Sequence, residues 1–174
     1  MRVEIAEPEF PKGYPGTYTR EETMKKWILT GLLILGAGAV FAGSPAWSQD
    51  HASALAEAKE SNKHVLVNFS GSDWCKWCIK LDEEVFTQEA FQEYAAENLV
   101  LLLIDTPAHK KLDETTVEQN QSLKDKYGIR GFPTILLLNP SGTMIAQTGY
   151  QFGGAEKYVA HLKGLIESHA KLGE

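Results

Sequence analysis

An α/β fold with a central mixed sheet and helices on both faces is what this 174-residue chain predicts. Three observations point to it. Short apolar runs at residues 65–69, 99–104 and 134–138 alternate with longer stretches of helical periodicity, the order expected of an α/β chain. The run Leu99-Val-Leu-Leu-Leu-Ile104 is apolar without interruption, as suits a strand buried on both faces. About 126 residues follow an apolar leader, enough for one core and hardly two.

The elements follow in order along the chain. Asp50 is placed to cap a helix over 51–61, whose Leu55 and alanines supply a modest apolar face. Residues 65–69 read as a short strand and Ser70-Gly-Ser-Asp73 as a loop. Residues 75–86 read as one helix, with Ile79, Leu81, Val85 and Phe86 inward and Asp82, Glu83 and Glu84 facing water. Thr87 is expected to cap a helix over 88–97 that turns Phe91, Tyr94 and Ala95 inward. After the strand at 99–104 and Asp105, a polar stretch over 106–116 leads into a helix ending near Tyr127. Residues 134–138 and 143–147 flank Asn139-Pro-Ser-Gly142, which has the turn chemistry of a hairpin. A final amphipathic helix over about 155–171 uses Tyr158, Val159, Leu162, Leu165 and Ile166.

Residues 24–48 read as a signal peptide. Met24-Lys-Lys-Trp27 supplies a basic start, and small residues suited to cleavage follow a short apolar core. The core from Trp27 to Phe41 is 15 residues and glycine-rich, against roughly 20 for a spanning helix, so no stable membrane insertion is expected after cleavage. Val40-Phe-Ala42 and Ala46-Trp-Ser48 both fit as cleavage sites, and the mature domain is set at 49–174. Neither site is followed by cysteine, so lipid attachment is not indicated. Residues 1–23, with Glu4, Glu7, Glu9, Glu21 and Glu22 against Arg2, Lys12 and Arg20, do not suit a short positive leader. The expectation is that translation starts at Met24 and the first 23 residues are a start-site artefact; a disordered leader is the alternative. Residues 1–48 carry five basic and five acidic groups, so the formal charge of −6 falls entirely on the remainder. An acidic domain of this kind argues against a nucleic-acid partner.

The two cysteines stand in Trp74-Cys-Lys-Trp-Cys78, immediately after the first strand and its loop. Any disulfide within one chain must join Cys75 to Cys78, and so short a loop is a poor staple. The pair is better read as chemistry. Cys75 falls at a helix N-terminus, where free N–H groups and the helix dipole favour a thiolate, the nucleophile of disulfide exchange. Cys78 lies about one turn on, placed to resolve a mixed disulfide. Lys76 favours the thiolate and Asp73 opposes it. A zinc site is the competing account of C-x-x-C. It needs two further ligands, yet there is no third cysteine, and His51, His64, His109, His161 and His169 form no close pair, so no metal is expected.

With Trp74-Cys-Lys-Trp-Cys78 after a strand and Lys126-Tyr-Gly-Ile-Arg-Gly-Phe-Pro-Thr134 leading into a hairpin and terminal helix, the chain resembles the thioredoxin superfamily. The resemblance covers roughly residues 50–172. Within the superfamily, Ser72-Asp-Trp-Cys75 and Glu84-Val-Phe86 are similar to exported single-domain thioredoxin-like proteins and to the C-terminal domain of DsbD. It implies a thioredoxin fold, a cis Pro133 beside the cysteines, and a substrate platform in which Phe132 sets preference. Trp74 and Trp77 would form an apolar rim for peptide substrates, although isolated tryptophans are more often packing. Two departures stand out. The buried Asp that thioredoxins place before the motif corresponds to Asn68, with one extra residue in the loop, and its partner lysine corresponds to Leu101. Losing both together is self-consistent, since a lone buried charge is costly. The connection over 106–125 is longer than usual by about a dozen residues. Its His109, Lys110 and Lys111 would meet a partner or, more simply, form a solvated loop.

The expected activity is that of an extracytoplasmic thiol-disulfide oxidoreductase acting on protein thiols or disulfides, as a reductase or in interchange. Cys75 is the nucleophile and Cys78 the resolving thiol. No cofactor is implied, because the dithiol itself carries the electrons, but a reducing role outside the cytoplasm needs a donor such as a membrane thiol carrier. A disulfide oxidase or isomerase is the rival within the enzyme class. A binding or chaperone-like module on the same fold, its cysteines locked, is the rival from another class.

Overall fold

A computed structural model describes residues 46–172. The expected signal peptide and residues 1–23 therefore lie outside the described residues, apart from the last few positions before Gln49. The elements run α1 (His51–Ser61), β1 (His64–Ser70), α2 (Lys76–Leu81), a π-helical turn (Asp82–Phe86), α3 (Glu89–Asn98), β2 (Leu99–Asp105), α4 (Glu114–Tyr127), β3 (Thr134–Leu138), β4 (Met144–Thr148) and α5 (Gly154–Leu172).

The four strands stand in the order β2-β1-β3-β4. β1 is parallel to β2 and antiparallel to β3, and β3 is antiparallel to β4, so the sheet is mixed. Side-chain alternation along β1 divides the core. Val65, Val67 and Phe69 pack with Val100, Leu102 and Ile104 against Ala54, Ala58 and Leu123 of α1 and α4. Leu66 packs with Leu101, Ile135 and Leu137 against Leu81, Val85, Phe86, Phe91, Tyr158 and Leu162 on the other face. β1, β2 and β3 thus each supply both layers, which is why their sequences read as largely apolar runs, whereas β4 packs on one face only.

Local chemistry sets several element ends. Asp50 Oδ1 accepts from Ser53 N–H at the start of α1, as expected. Asp113 does the same for Thr116 N–H (2.9 Å), so α4 starts at Glu114, before the end of the predicted polar stretch. Gly128, with φ 64°, closes α4 in the left-handed conformation that glycine tolerates. Gln88 rather than Thr87 is the N-cap of α3, because Thr87 is used by the preceding turn, where its N–H and hydroxyl both bond Asp82 O.

The segment after the cysteines is not one regular helix. In an α-helix five steps of about 100° would turn Phe86 well away from Leu81. The wider π turn reduces that rotation, and Leu81, Val85 and Phe86 are all buried. Ile79, expected inward, is 37% exposed and stands beside Cys78 at the edge of the core.

Two residues before the expected boundary at Gln49 belong to the fold. Ser48 forms a parallel bridge with Leu102, its N–H donating to Leu101 O at 2.9 Å and its carbonyl accepting from Leu103 N–H at 2.8 Å. Trp47 packs on Phe86 at 5.1 Å between ring centroids. The folded unit therefore begins by Trp47, because the open edge of β2 takes up a further stretch of chain.

Candidate active site

Cys75 is the N-cap of α2, with extended backbone (φ −82°, ψ 103°). Its carbonyl accepts from Cys78 N–H (2.9 Å) and Ile79 N–H (3.0 Å), and its Sγ also lies 3.3 Å from Cys78 N. The sulfur therefore occupies the position at which a capping oxygen normally stands, where N–H groups stabilise negative charge. Cys75 and Cys78 are joined by a disulfide, and both residues are buried.

The residues around them divide into a rim and a pocket. Trp74 and Trp77 are about half exposed. Trp74 packs edge-to-face on Phe132 at 5.9 Å and donates its indole N–H to Thr106 O at 2.8 Å. Gly71 lies directly under that ring, so a Cβ there would sit 2.4 Å from Trp74 Cε2; glycine is what lets the indole lie over the loop. The Phe132-Pro133 peptide is cis. Gly149 approaches so closely that a Cβ on it would lie 3.2 Å from Pro133 O. Trp77 meets a different pair, Tyr150 at 5.1 Å and Phe152 at 6.3 Å, with those two rings 5.2 Å apart and edge-to-face.

Behind the disulfide, Cys78 opens on a pocket of about 320 Å³. Asn68, Ser72, Asp82, Trp47 and Leu103 line it. Asn68 is buried, and its Oδ1 has no hydrogen-bond partner among the described residues. An unpaired oxygen facing a space of this size is a place for ordered water. Partial burial, with Glu83 adding to it, holds the Asp82 carboxyl above its ordinary range. The strand register places Leu103, not Leu101, opposite Asn68; Leu101 sits opposite Leu66, deep in the core. The strand neighbour of Asn68 is apolar on either alignment.

Asp73 faces away from the sulfurs and into the long connection. Its carboxylate accepts N–H bonds from Ala108 (2.8 Å), His109 (2.7 Å) and Lys110 (3.1 Å), which hold it below the usual carboxylate range. Its visible work is to pin that loop beside Trp74. His109, Lys110 and Lys111 are exposed there, and Lys76 is exposed next to Cys75.

Sequence reasoning missed Tyr150, Phe152, Glu84, Asp82 and Trp47 as neighbours of the pair. A usable signal did exist for two of them: Gly149-Tyr-Gln-Phe-Gly-Gly154 places aromatics in a glycine-rich loop between a strand and a helix. Among the described residues there is no cluster of His, Cys, Asp or Glu able to hold a metal ion, and no helix long and apolar enough to cross a membrane.

Comparison with known proteins agrees with this geometry. Residues 52–165 match the model of a family described as a thioredoxin-like domain. The chain is 31% identical over 119 residues to the disulfide bond reductase DsbH of Chlamydia pneumoniae, covering 68% of this chain and 72% of that protein. It is 30% identical over 99 residues to the thiol:disulfide interchange protein DsbD of Actinobacillus pleuropneumoniae, covering 54% of this chain but 15% of that longer protein. A solved structure of a DsbH oxidoreductase superposes with a TM-score of 0.69 at 28% identity, over 82% of this chain and 98% of the other. A C-x-x-C disulfide at the start of a helix beside a mixed sheet, and a family match across most of the folded part, lead to one conclusion: this chain belongs to the thioredoxin-like domain family.

Proposed function

We propose that this thioredoxin-like thiol-disulfide oxidoreductase acts outside the cytoplasm on protein disulfides, as a reductase or in thiol-disulfide interchange. The observation that carries the reading is the position of Cys75 Sγ, within 3.3 Å of Cys78 N at the first turn of α2 and flanked by exposed aromatic rings.

In the reduced protein the Cys75 thiolate attacks one sulfur of a substrate disulfide. The substrate S–S bond breaks, the departing sulfur takes up a proton, and a mixed disulfide is left on Cys75. Cys78 then loses its proton and attacks Cys75 Sγ, releasing the second substrate thiol and forming the Cys75–Cys78 disulfide. Two electrons pass to the substrate, and a thiol donor must return them. A membrane thiol carrier is the class of donor this requires in an oxidising compartment. The Phe132-Pro133 segment is the proposed platform for substrate backbone, with Trp74 and Trp77 as the apolar rim. Similarity to a disulfide bond reductase supports the reducing direction.

Export is proposed from the basic and apolar character of residues 24–42. Of the two cleavage sites, the one after Ala42 fits better, because it retains Trp47 and Ser48 in the folded unit.

The reduction potential tests the direction of electron flow. For residues 43–174, Trp74 and Trp77 fluorescence across thiol redox buffers is expected to give a value near the thioredoxin figure of about −270 mV. A value above about −180 mV makes the protein an oxidase or isomerase instead.

A further inference from the structure

Resting on the reading that the dithiol reduces protein disulfides, we propose that Tyr150 and Phe152 form with Trp77 an aromatic clamp that selects substrates with a large apolar side chain beside the reacting cysteine.

Trp77, Lys80 and Glu84 are spaced i, i+3 and i+7, which places them along one side of the helical segment after Cys75. The loop between β4 and α5 lies against that side. Tyr150 donates its hydroxyl to Glu84 Oε2, while Lys80 Nζ bonds Glu84 Oε1 at 2.7 Å and stands 5.9 Å from the centre of the Tyr150 ring. These contacts hold the tyrosine ring where Trp77 packs on it at 5.1 Å. The loop is also held at its ends. Gly149 lies against Pro133 O, and Gly153, at φ 116°, sits where a side chain would strike Lys157.

Phe152 is different. Its ring touches both Tyr150 and Trp77, yet it is 77% exposed. Two exposed rings, Trp77 of α2 and Phe152 of the loop, packed about the half-buried Tyr150 make an apolar patch unusual for a surface facing only water. Trp77 lies between the two cysteines in sequence, so a polypeptide reaching Cys75 Sγ passes beside this cluster. The fitting occupant is the extended segment of a substrate that carries the disulfide, with a Phe, Trp, Leu or Met side chain next to its cysteine. Tyr150 is a positioning residue in this arrangement, and Phe152 the specificity-determining one.

Two short peptides test this, each carrying one cysteine as a mixed disulfide with glutathione and differing only in Phe or Ser beside that cysteine. The reduced protein, residues 43–174, is mixed with each, and the second-order rates are compared. Wild type is expected to favour the Phe peptide by about tenfold, the scale on which an apolar subsite discriminates. Phe152→Ser is expected to bring the ratio close to one, and Phe152→Leu to leave it intermediate. Tyr150→Phe keeps the ring but removes the tether, and it should lower the ratio and shift Trp77 emission. Glu84→Gln keeps an acceptor for the Tyr150 hydroxyl and should preserve both.

A wild-type ratio near one with both peptides reacting overturns the clamp and leaves the reductase reading standing. So does an unchanged ratio in Phe152→Ser, and so does a concentration-dependent dimer that Phe152→Ser abolishes without any peptide preference, since the rings then serve a second copy of the chain. Failure to reduce either peptide or glutathione disulfide overturns the reductase reading and the clamp together.

Discussion

The two sides of the Cys75–Cys78 disulfide are built differently. In front, rings dominate: Trp74 against Phe132, and Trp77 against Tyr150 and Phe152. Behind, Cys78 shares a pocket with Asn68, Ser72 and Asp82, backed by Trp47. An apolar front can dock a polypeptide without competing for protons. The polar groups among the rear lining, Asn68, Ser72 and Asp82, can hold water and pass protons. Under the proposed function, two cysteines three residues apart thereby take separate duties, Cys75 meeting substrate and Cys78 closing the cycle.

The sharpest break in that division is at the sulfurs. Cys75→Ser should lower turnover on a protein disulfide by about 10³-fold or more, as removal of a nucleophile does. Cys78→Ser should lose turnover as severely but leave the first step intact, so a covalent mixed disulfide accumulates on Cys75 and is read by intact mass. If Cys75→Ser instead accumulates the adduct, front and rear are reversed. A Cys75→Ser, Cys78→Ser double variant that keeps full biological activity would favour the binding or chaperone-like module.

The rear wall is tested next. Trp47 packs on Phe86 and lines the pocket, so Trp47→Ala, or a chain beginning at Gln49, should lose about 2–3 kcal/mol of stability in urea unfolding. An unchanged midpoint would mean that Trp47 is not part of the folded unit.

Asn68 cannot act as an acid or base, so Asn68→Asp should speed resolution of the mixed disulfide by about tenfold, the low end of general acid–base effects or below. Stopped-flow measurement of the second step reads this, and an unchanged or slower rate places proton transfer elsewhere in the pocket.

The smallest effect concerns Asp82. Burial and Glu83 raise its pKa above the ordinary 3.8, so the folded state holds the proton more tightly than the unfolded chain. Its contribution is fully present below about pH 3.8 and is lost as pH rises through the folded value. Asp82→Asn should therefore stabilise the protein at pH 7 and not at pH 3. Solvent screening of a partly exposed group holds the gain to about 0.5 kcal/mol. Thermal unfolding at the two pH values is the check, and an equal shift at both would assign the effect to packing.

The element order was readable because each helix and strand is specified by neighbours a turn or two away. Asp50 caps α1, Gly128 ends α4, and the uninterrupted run at 99–104 is a strand covered on both faces. Where a residue could satisfy two local patterns, reading failed. Ile79 fits an inward position by its apolar character alone, but the helix turns Cys78 and Leu81 to the core and leaves Ile79 partly exposed. The pairing of Ser48 with the edge of β2 went unread, since nothing local announces it.

The sequence by itself determined the reactive pair, its place at a helix start, the α/β order and the resemblance that follows from two motifs in register. All of these depend on short-range spacing. Tertiary structure alone decided what surrounds the sulfurs. Tyr150 reaches Glu84 across 66 residues, and Trp47 and Asp82 meet behind Cys78 from separate elements. Such contacts depend on how the layers pack against the sheet and where the connecting loops close, and no local periodicity encodes that.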